Sequence, residues 1–392
     1  MKIFMKKIMN NFACGKILGV AAVMAFAAVA PAKEFLVYFG TYTNALSRGI
    51  YVSRLNADTG KLSVPELAAV APNPCFVNAS PDEKFLYSAN SIKFNDENNG
   101  SVSAFAIDKK SGHLKLLNEK SSGGNGPCHV SVDATGKILL AANYGGGSVK
   151  SFLLNADGSI GADGTFIQHH GGSVNTNRQA APHAHFICAD PSNRFALACD
   201  LGTDKVMIYA LNTNTAEFDI PAGFSTARVP AGAGARHLAF SRNGKFVHVA
   251  NEMGCSVTTF SWDAKAGTLT AIETVSRLPT NVPVRKEFTS AEIRVHPAGK
   301  FVYATVRGHE SVSVLAADEA TGRLQLIQNF SSGGKVPRGL GIDPTGRWLI
   351  TANQRSDNAV EFAINPQTGM ISATGTELKI GSPVDVNFVK AE

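Results

Sequence analysis

The segment RQAAPHAHF, residues 178–186, sets His183 and His185 two positions apart. In an extended chain, residues i and i+2 point the same way, so the pair can act together. Joined by a carboxylate such as Glu252, two imidazoles and an open position would make a zinc-type catalytic set. Without a metal, an imidazole with a pKa of about 6.5 moves protons near neutral pH. The third reading is a pair of loop residues that are simply polar. Arg236 and Arg307 argue against a cation, because their fixed positive charge would repel it. The same arginines suit an anion, since the planar guanidinium fork matches carboxylate and phosphate. Acid–base chemistry or substrate binding is therefore preferred over metal, and no metal or cofactor is expected.

The positions of these residues follow from a repeat. FVNASPDEKFLYSAN (76–90), HVSVDATGKILLAAN (129–143), FICADPSNRFALACD (186–200) and HLAFSRNGKFVHVAN (237–251) share one frame, completed by EIRVHPAGKFVYATV (292–306) and GLGIDPTGRWLITAN (339–353). Each reads as an apolar strand, a polar turn and a second apolar strand, with spacings of 47 to 57 residues. A tight turn recurs between the copies: DTGKL (58–62), KSGHL (110–114), ADGSI (156–160), KAGTL (265–269), ATGRL (320–324) and QTGMI (367–371), with NTAEF (214–218) in the remaining slot.

Seven turns stand against six complete strand pairs. FLVYFGT (35–41) matches a second strand without a first, and PVDVNFV (383–389) matches a first strand without a second. The two ends therefore complete one unit. The fold class is all-β, a seven-bladed β-propeller over residues 33–392 whose first blade is closed by the N- and C-terminal strands. Such a ring leaves no long sheet edge exposed.

In a propeller the first strand of each blade lines the channel and successive strands run antiparallel. First-strand starts and second-strand ends then share one face of the disc. First-strand starts supply His129, Arg236, His237, Glu292 and Arg338, with His183 and His185 just ahead of the third complete pair. Second-strand ends supply Asn143, Tyr144, Asp200, Asn251, Glu252, Arg307, Asn353 and Arg355. Asn90, Asn143, Asn251 and Asn353 share one frame position, which fits a repeated backbone role, and Asp200 occupies the same place. Arg236 and Arg338 share another position where other copies carry Cys, His or Ala, a variation that points to anion binding. Glu252 and Arg307 follow the asparagine frame with opposite charges, which packing alone does not need.

The N-terminus reads as a secretory leader. Lys2, Lys6, Lys7 and Lys16 precede and flank the apolar run ILGVAAVMAFAAVA, followed by Ala30-Pro31-Ala32. The expected cleavage after Ala32 implies an exported, periplasmic protein. Removing those four lysines lowers the net charge from +6 to +2, which takes away the main support for nucleic-acid binding. No later segment is suited to span a membrane. Cys75, Cys128, Cys188, Cys199 and Cys255 form no CxxC and sit in apolar runs, so they read as small buried hydrophobes.

RQAAPHAHFICADPSNRFALACDLGTDKV (178–206), GARHLAFSRNGKFVHVANE (234–252), FVYATVRGHESVSV (301–314) and VPRGLGIDPTGRWLITANQRSDN (336–358) resemble the seven-bladed lactonase family. That family contains propeller-type 6-phosphogluconolactonases and is similar to the carboxy-muconate lactonising enzymes. The resemblance covers essentially all of residues 33–392. It implies a site made of His183, with His185 beside it, Arg236, Glu252 and Arg307. The implied reaction is metal-independent lactone hydrolysis. His183 or His185 would be the general base, and Glu252 would orient it or act as the base itself. Arg236 and Arg307 would stabilise the oxyanion. His129, His237, Arg338, Arg355, Asn143 and Tyr144 are the further substrate-binding candidates. The expected partner is a small-molecule lactone; a lactone cycloisomerase and a non-catalytic binding propeller are the competing readings.

Overall fold

The computed structural model describes residues 33–92, 99–219 and 226–392. The expected leader, residues 1–32, lies outside the described residues. Strands joined by turns make up the described chain, arranged as seven antiparallel sheets around one axis. Five sheets have four strands; the sheets containing Glu34–Thr41 and Phe195–Asp200 have five, because two described strands pair with the outer side of Gly49–Asn56 in one and of Lys205–Asn212 in the other. Among the described residues no helix is long and apolar enough to cross a membrane.

The ring closes as the half-units predict. Pro383–Lys390 is the innermost strand of the first blade and pairs with Glu34–Thr41 from Phe35↔Lys390 to Thr41↔Pro383. Apolar side chains then fill the space between neighbouring blades rather than one central core. At the closing seam, Val37, Phe39 and Val386 of the first blade pack against Ile350 and Ala352 of the last. Full burial of each large aliphatic or aromatic side chain contributes about 1.5–3 kcal/mol.

The recurring glycine turns lock each blade to the one before it. Gly158 has φ +81°, and a Cβ there would meet Phe85 of the preceding blade at 2.2 Å. Gly60, φ +76°, sits on the Trp348 ring across the closing seam, with 2.5 Å to an added Cβ. Tyr87 Oη donates to Gly158 O (2.9 Å) and Tyr303 Oη to Gly369 O (2.7 Å), so the same turns also accept hydrogen bonds from the neighbouring blade.

One feature of the innermost strands departs from simple alternation. Each carries a register shift near its start, at the position of Cys75, Cys128, His185, Arg236, Ala291 with Glu292, Arg338 and Val384. A bulge inserts a residue and re-aims its side chain. Of these bulged residues, Cys128, His185 and Arg338 line the cavity at one mouth of the channel, whereas His129 and Phe186, which follow Cys128 and His185, line the cavity at the other.

Candidate active site

Glu252 is the centre of the upper mouth. It follows the strand Phe246–Asn251, and its backbone is fixed on both sides: its N–H donates to Gly234 O (2.7 Å) and its carbonyl accepts from Ser290 N (2.8 Å). The residue is 4% exposed. Oε1 accepts from Arg178 Nη2 at 2.7 Å; Oε2 lies 3.0 Å from Arg236 Nε and 2.9 Å from Arg307 Nη2. Burial alone would raise this carboxyl. The guanidinium charges of Arg307, Arg236 and Arg178, together with His185, outweigh it and hold Glu252 well below the usual carboxylate range. A carboxylate so stabilised is a poor proton acceptor, and it makes no hydrogen bond to His183 or His185 among the described residues. The geometry therefore differs from the expected Glu252–histidine pairing: the carboxylate is paired with Arg178, Arg236 and Arg307.

Arg236 reaches this place because it is the bulged residue of Ala235–Phe240, and Arg307 because it ends Phe301–Arg307. Burial, then the nearby Arg307 and Arg338, pulls the Arg236 guanidinium down to about 10. Arg236 Nη1 and Arg307 Nε are buried without a hydrogen-bond partner among the described residues. Arg338, the bulged residue of its blade, lies over the Tyr42 ring (5.5 Å) and donates to Tyr42 Oη (3.3 Å). Four guanidinium groups thus face one carboxylate, a surplus of three positive charges around a cavity of about 360 Å³. The cavity walls include Tyr42, Tyr144, Arg178, His185, Glu252, Arg307 and Arg338.

The two histidines of RQAAPHAHF separate. His183 precedes the strand Ala184–Ala189 and does not line the cavity. Its ring stacks on Tyr144 (4.6 Å, 18°), and Nδ1 donates to the Tyr144 carbonyl at 2.9 Å. His185 is the bulged residue and does line the cavity. Its Nδ1 is 3.2 Å from His237 Nε2 and 3.6 Å from Cys128 Sγ, while Nε2 has no hydrogen-bond partner among the described residues. Burial, then the charge of Arg236 and His237, keeps His185 well below the ordinary histidine value, so it is neutral at physiological pH. The two rings do not chelate as a pair. No group of three or more His, Cys, Asp or Glu side chains among the described residues is arranged to hold a metal ion.

Several expected substrate contacts lie elsewhere. His129 and His237 sit one layer below the bulges, both 2% exposed. His129 is packed between Phe76 (4.2 Å) and Phe186 (4.1 Å) and lines the cavity at the opposite mouth. His237 bonds His185 and Glu292. Asn143 is buried and donates to Ser122 O and Ser148 Oγ, both at 3.1 Å, the cross-strand role that Asn251 also plays through Ser256. Arg355 is exposed on the loop beyond the asparagine frame, away from the cavity. Tyr144 and Arg338 stand where expected. Asp200 binds His169 (2.6 Å) and caps the amides of His183 and Thr203.

Arg178 and Tyr42 were not singled out from the sequence. Arg178 arrives on the segment 169–183, one of the two longest connections into an innermost strand. Buried Gln179 anchors that segment by donating to Leu201 O (2.8 Å) and Asp204 Oδ1 (2.7 Å), and Arg178 Nη2 also reaches Tyr144 Oη at 3.2 Å. The length of the connection was the available signal.

Residues 36–388 match the family described as Lactonase, 7-bladed beta-propeller. The 6-phosphogluconolactonase of Bacillus subtilis (strain 168) is 33% identical over 356 residues, covering 91% of this chain and 99% of its own. A 6-phosphogluconolactonase of Formosa agariphila is 29% identical over 346 residues, covering 88% and 96%. The solved structure of a periplasmic gluconolactonase of Pseudomonas aeruginosa superposes with a TM-score of 0.85 at 28% identity, covering 92% of this chain and all of that one.

Proposed function

This chain belongs to the seven-bladed β-propeller lactonase family, and from that membership we propose that it hydrolyses a sugar lactone of the aldonolactone class. The observation that carries the proposal is the surplus of three positive charges around a cavity that also receives a neutral imidazole with an unpartnered Nε2. The product of lactone opening is an anion, and the step that forms it passes through an oxyanion.

His185 Nε2 takes a proton from water as that water attacks the lactone carbonyl carbon. The carbonyl π electrons move onto oxygen, where the guanidinium groups of Arg178, Arg307 and Arg338 are placed to stabilise the charge. Preorganised donors of this kind are worth about 3–4 kcal/mol each in a site shielded from water. Collapse breaks the ring C–O bond, and the His185 imidazolium returns its proton to the leaving alkoxide. The hydroxy acid then loses its carboxyl proton to solvent, so each turnover releases one acid equivalent. No metal enters the sequence of steps. Arg338 and Arg178 would also grip an anionic tail where the substrate carries one.

The relatives are named for a phosphorylated and for an unphosphorylated gluconolactone. The leader-like N-terminus motivates an exported, periplasmic setting, where unphosphorylated or carboxylated lactones are the substrates to be met. A panel of neutral, carboxylated and phosphorylated aldonolactones, assayed with the protein from residue 33 onward by acid release, tests the reading. Acid release above the spontaneous rate is expected. Binding of aldonates without turnover would leave a binding propeller, and isomerisation without uptake of water would leave a cycloisomerase.

A further inference from the structure

We propose that Glu292 and His237 form a hydrogen-bonded relay that fixes the His185 ring with its Nε2 lone pair facing the cavity. The inference rests on the lactonase reading of the site and assigns positioning roles to two residues that never reach the substrate. Glu292, His237 and His185 are 1%, 2% and 4% exposed. Glu292 Oε1 is 3.1 Å from His237 Nδ1, and His237 Nε2 is 3.2 Å from His185 Nδ1.

The direction of the chain follows from its accepting end. Glu292 Oε1 already accepts from the Ile293 amide (3.0 Å) and lies 3.3 Å from Arg294 Nη1. It therefore accepts from His237 as well, which puts the His237 proton on Nδ1. A neutral imidazole carries one N–H, so His237 Nε2 is an acceptor and the His185 proton must be on Nδ1. That leaves the lone pair of His185 on Nε2, the nitrogen without a hydrogen-bond partner among the described residues. The opposite assignment would set two acceptors, His237 Nδ1 and Glu292 Oε1, against each other at 3.1 Å. Cys128 agrees with this direction: its thiol proton has the Ala184 and His185 carbonyls to donate to, at 3.7 and 3.5 Å, which frees the sulfur to accept from His185 Nδ1.

The surroundings explain why a base here needs such a relay. Arg236, Arg307, Arg338 and Arg294 all disfavour a charge on His237, and Arg236 and Arg338 do the same at His185. The proton taken from water would otherwise place an imidazolium among arginines. Through His237 the added positive charge is shared toward the Glu292 carboxylate, while Arg277 steadies the main chain of that residue by donating to the Glu292 backbone carbonyl (3.3 Å). A buried carboxylate in a channel is costly unless paired, and this one is paired to the histidine that contacts the base.

Nitrogen-15 spectra of the imidazole groups in the wild-type protein test the direction without any substitution. Nε2 of His185 should show the shift of an unprotonated nitrogen, and Nδ1 of both His185 and His237 the shift of a protonated one. Glu292→Gln should lower kcat about 10²–10⁴-fold with KM within twofold, and should mix the His185 tautomers. A protonated His185 Nε2 in a wild-type protein that turns over lactone would overturn the relay alone. Wild-type kcat in a folded Glu292→Gln protein would do the same. Absence of hydrolysis by the wild type strikes instead at the lactonase reading.

Discussion

Glu252→Gln distinguishes a counter-ion from a base. The substitution keeps the shape of the side chain and removes the single negative charge held between Arg178, Arg236 and Arg307. The Arg178 side chain is 39% exposed, so its share falls in the solvent-screened range of about 0–1 kcal/mol. Arg236 and Arg307 are 2% and 13% exposed, and leaving such buried charges uncompensated costs about 3–5 kcal/mol. An unfolding entropy of about 2.1 cal/mol/K per residue gives about 0.8 kcal/mol/K for a unit of roughly 360 residues, so Tm should fall by about 4–7 °C. The difference should hold from pH 8 down to 5. A depressed carboxyl contributes its stability above the ordinary value of 4.5 and loses it only as the pH falls below that, toward the folded value.

An aldonate supplies the missing charge, so it should raise Tm more in the variant than in the wild type. Saturation to a hundred times Kd is worth about 2.7 kcal/mol, enough to recover most of the loss. Calorimetric melting with and without the aldonate reads both effects. An unchanged Tm together with a kcat loss of about a hundredfold or more would refute the counter-ion argument and return Glu252 to the role of base.

His185→Ala should cut kcat by about 10²–10⁴-fold, whereas His183→Ala, which removes the brace on Tyr144, should raise KM and leave kcat within a few fold; equal losses of kcat would contradict the separation of the two rings. Glu361 is buried with Oε1 unpartnered, and burial pushes its carboxyl up to about 7. The folded protein therefore binds this proton more tightly than the unfolded chain, and stability falls as the pH rises from 4.5 through about 7. Glu361→Gln should gain about 1–3 kcal/mol at pH 8 and nothing at pH 4, measured by denaturant unfolding at the two pH values. Truncation after Gly381 removes the strand that pairs with Glu34–Thr41 and uncovers Val37 and Phe39; retention of the parental Tm would mean that the ring does not depend on this closure.

The ring was legible because its constraints repeat. Seven turns against six strand pairs forced the two ends into one blade, and NTAEF could be placed without its glycine: Ala216 takes φ +58° in that slot, buried, with its carbonyl accepting from Ser151. Glu252, Arg236 and Arg307 were legible as departures from a frame. The depth of each residue in the channel was not. Strict alternation put His183 and His185 on one face, and a shared place at the strand starts set His129, His237 and Glu292 in the same mouth as Arg236. A bulge at the start of each innermost strand breaks that alternation, and it leaves no trace in the apolar pattern because the buried strand stays apolar on both sides of it. Arg178 and Tyr42 escaped for a different reason: loop paths set by distant contacts such as Gln179 with Asp204 carry no local period. The bulge also explains how the site divides its work. In three blades the bulged residue, His185, Arg236 or Arg338, is turned toward the site, while His237, the residue after Arg236, is held one layer below, where it can act only through His185. A change of residue type at the bulge should therefore alter what is bound, and a change one position later should alter how the binding groups are held.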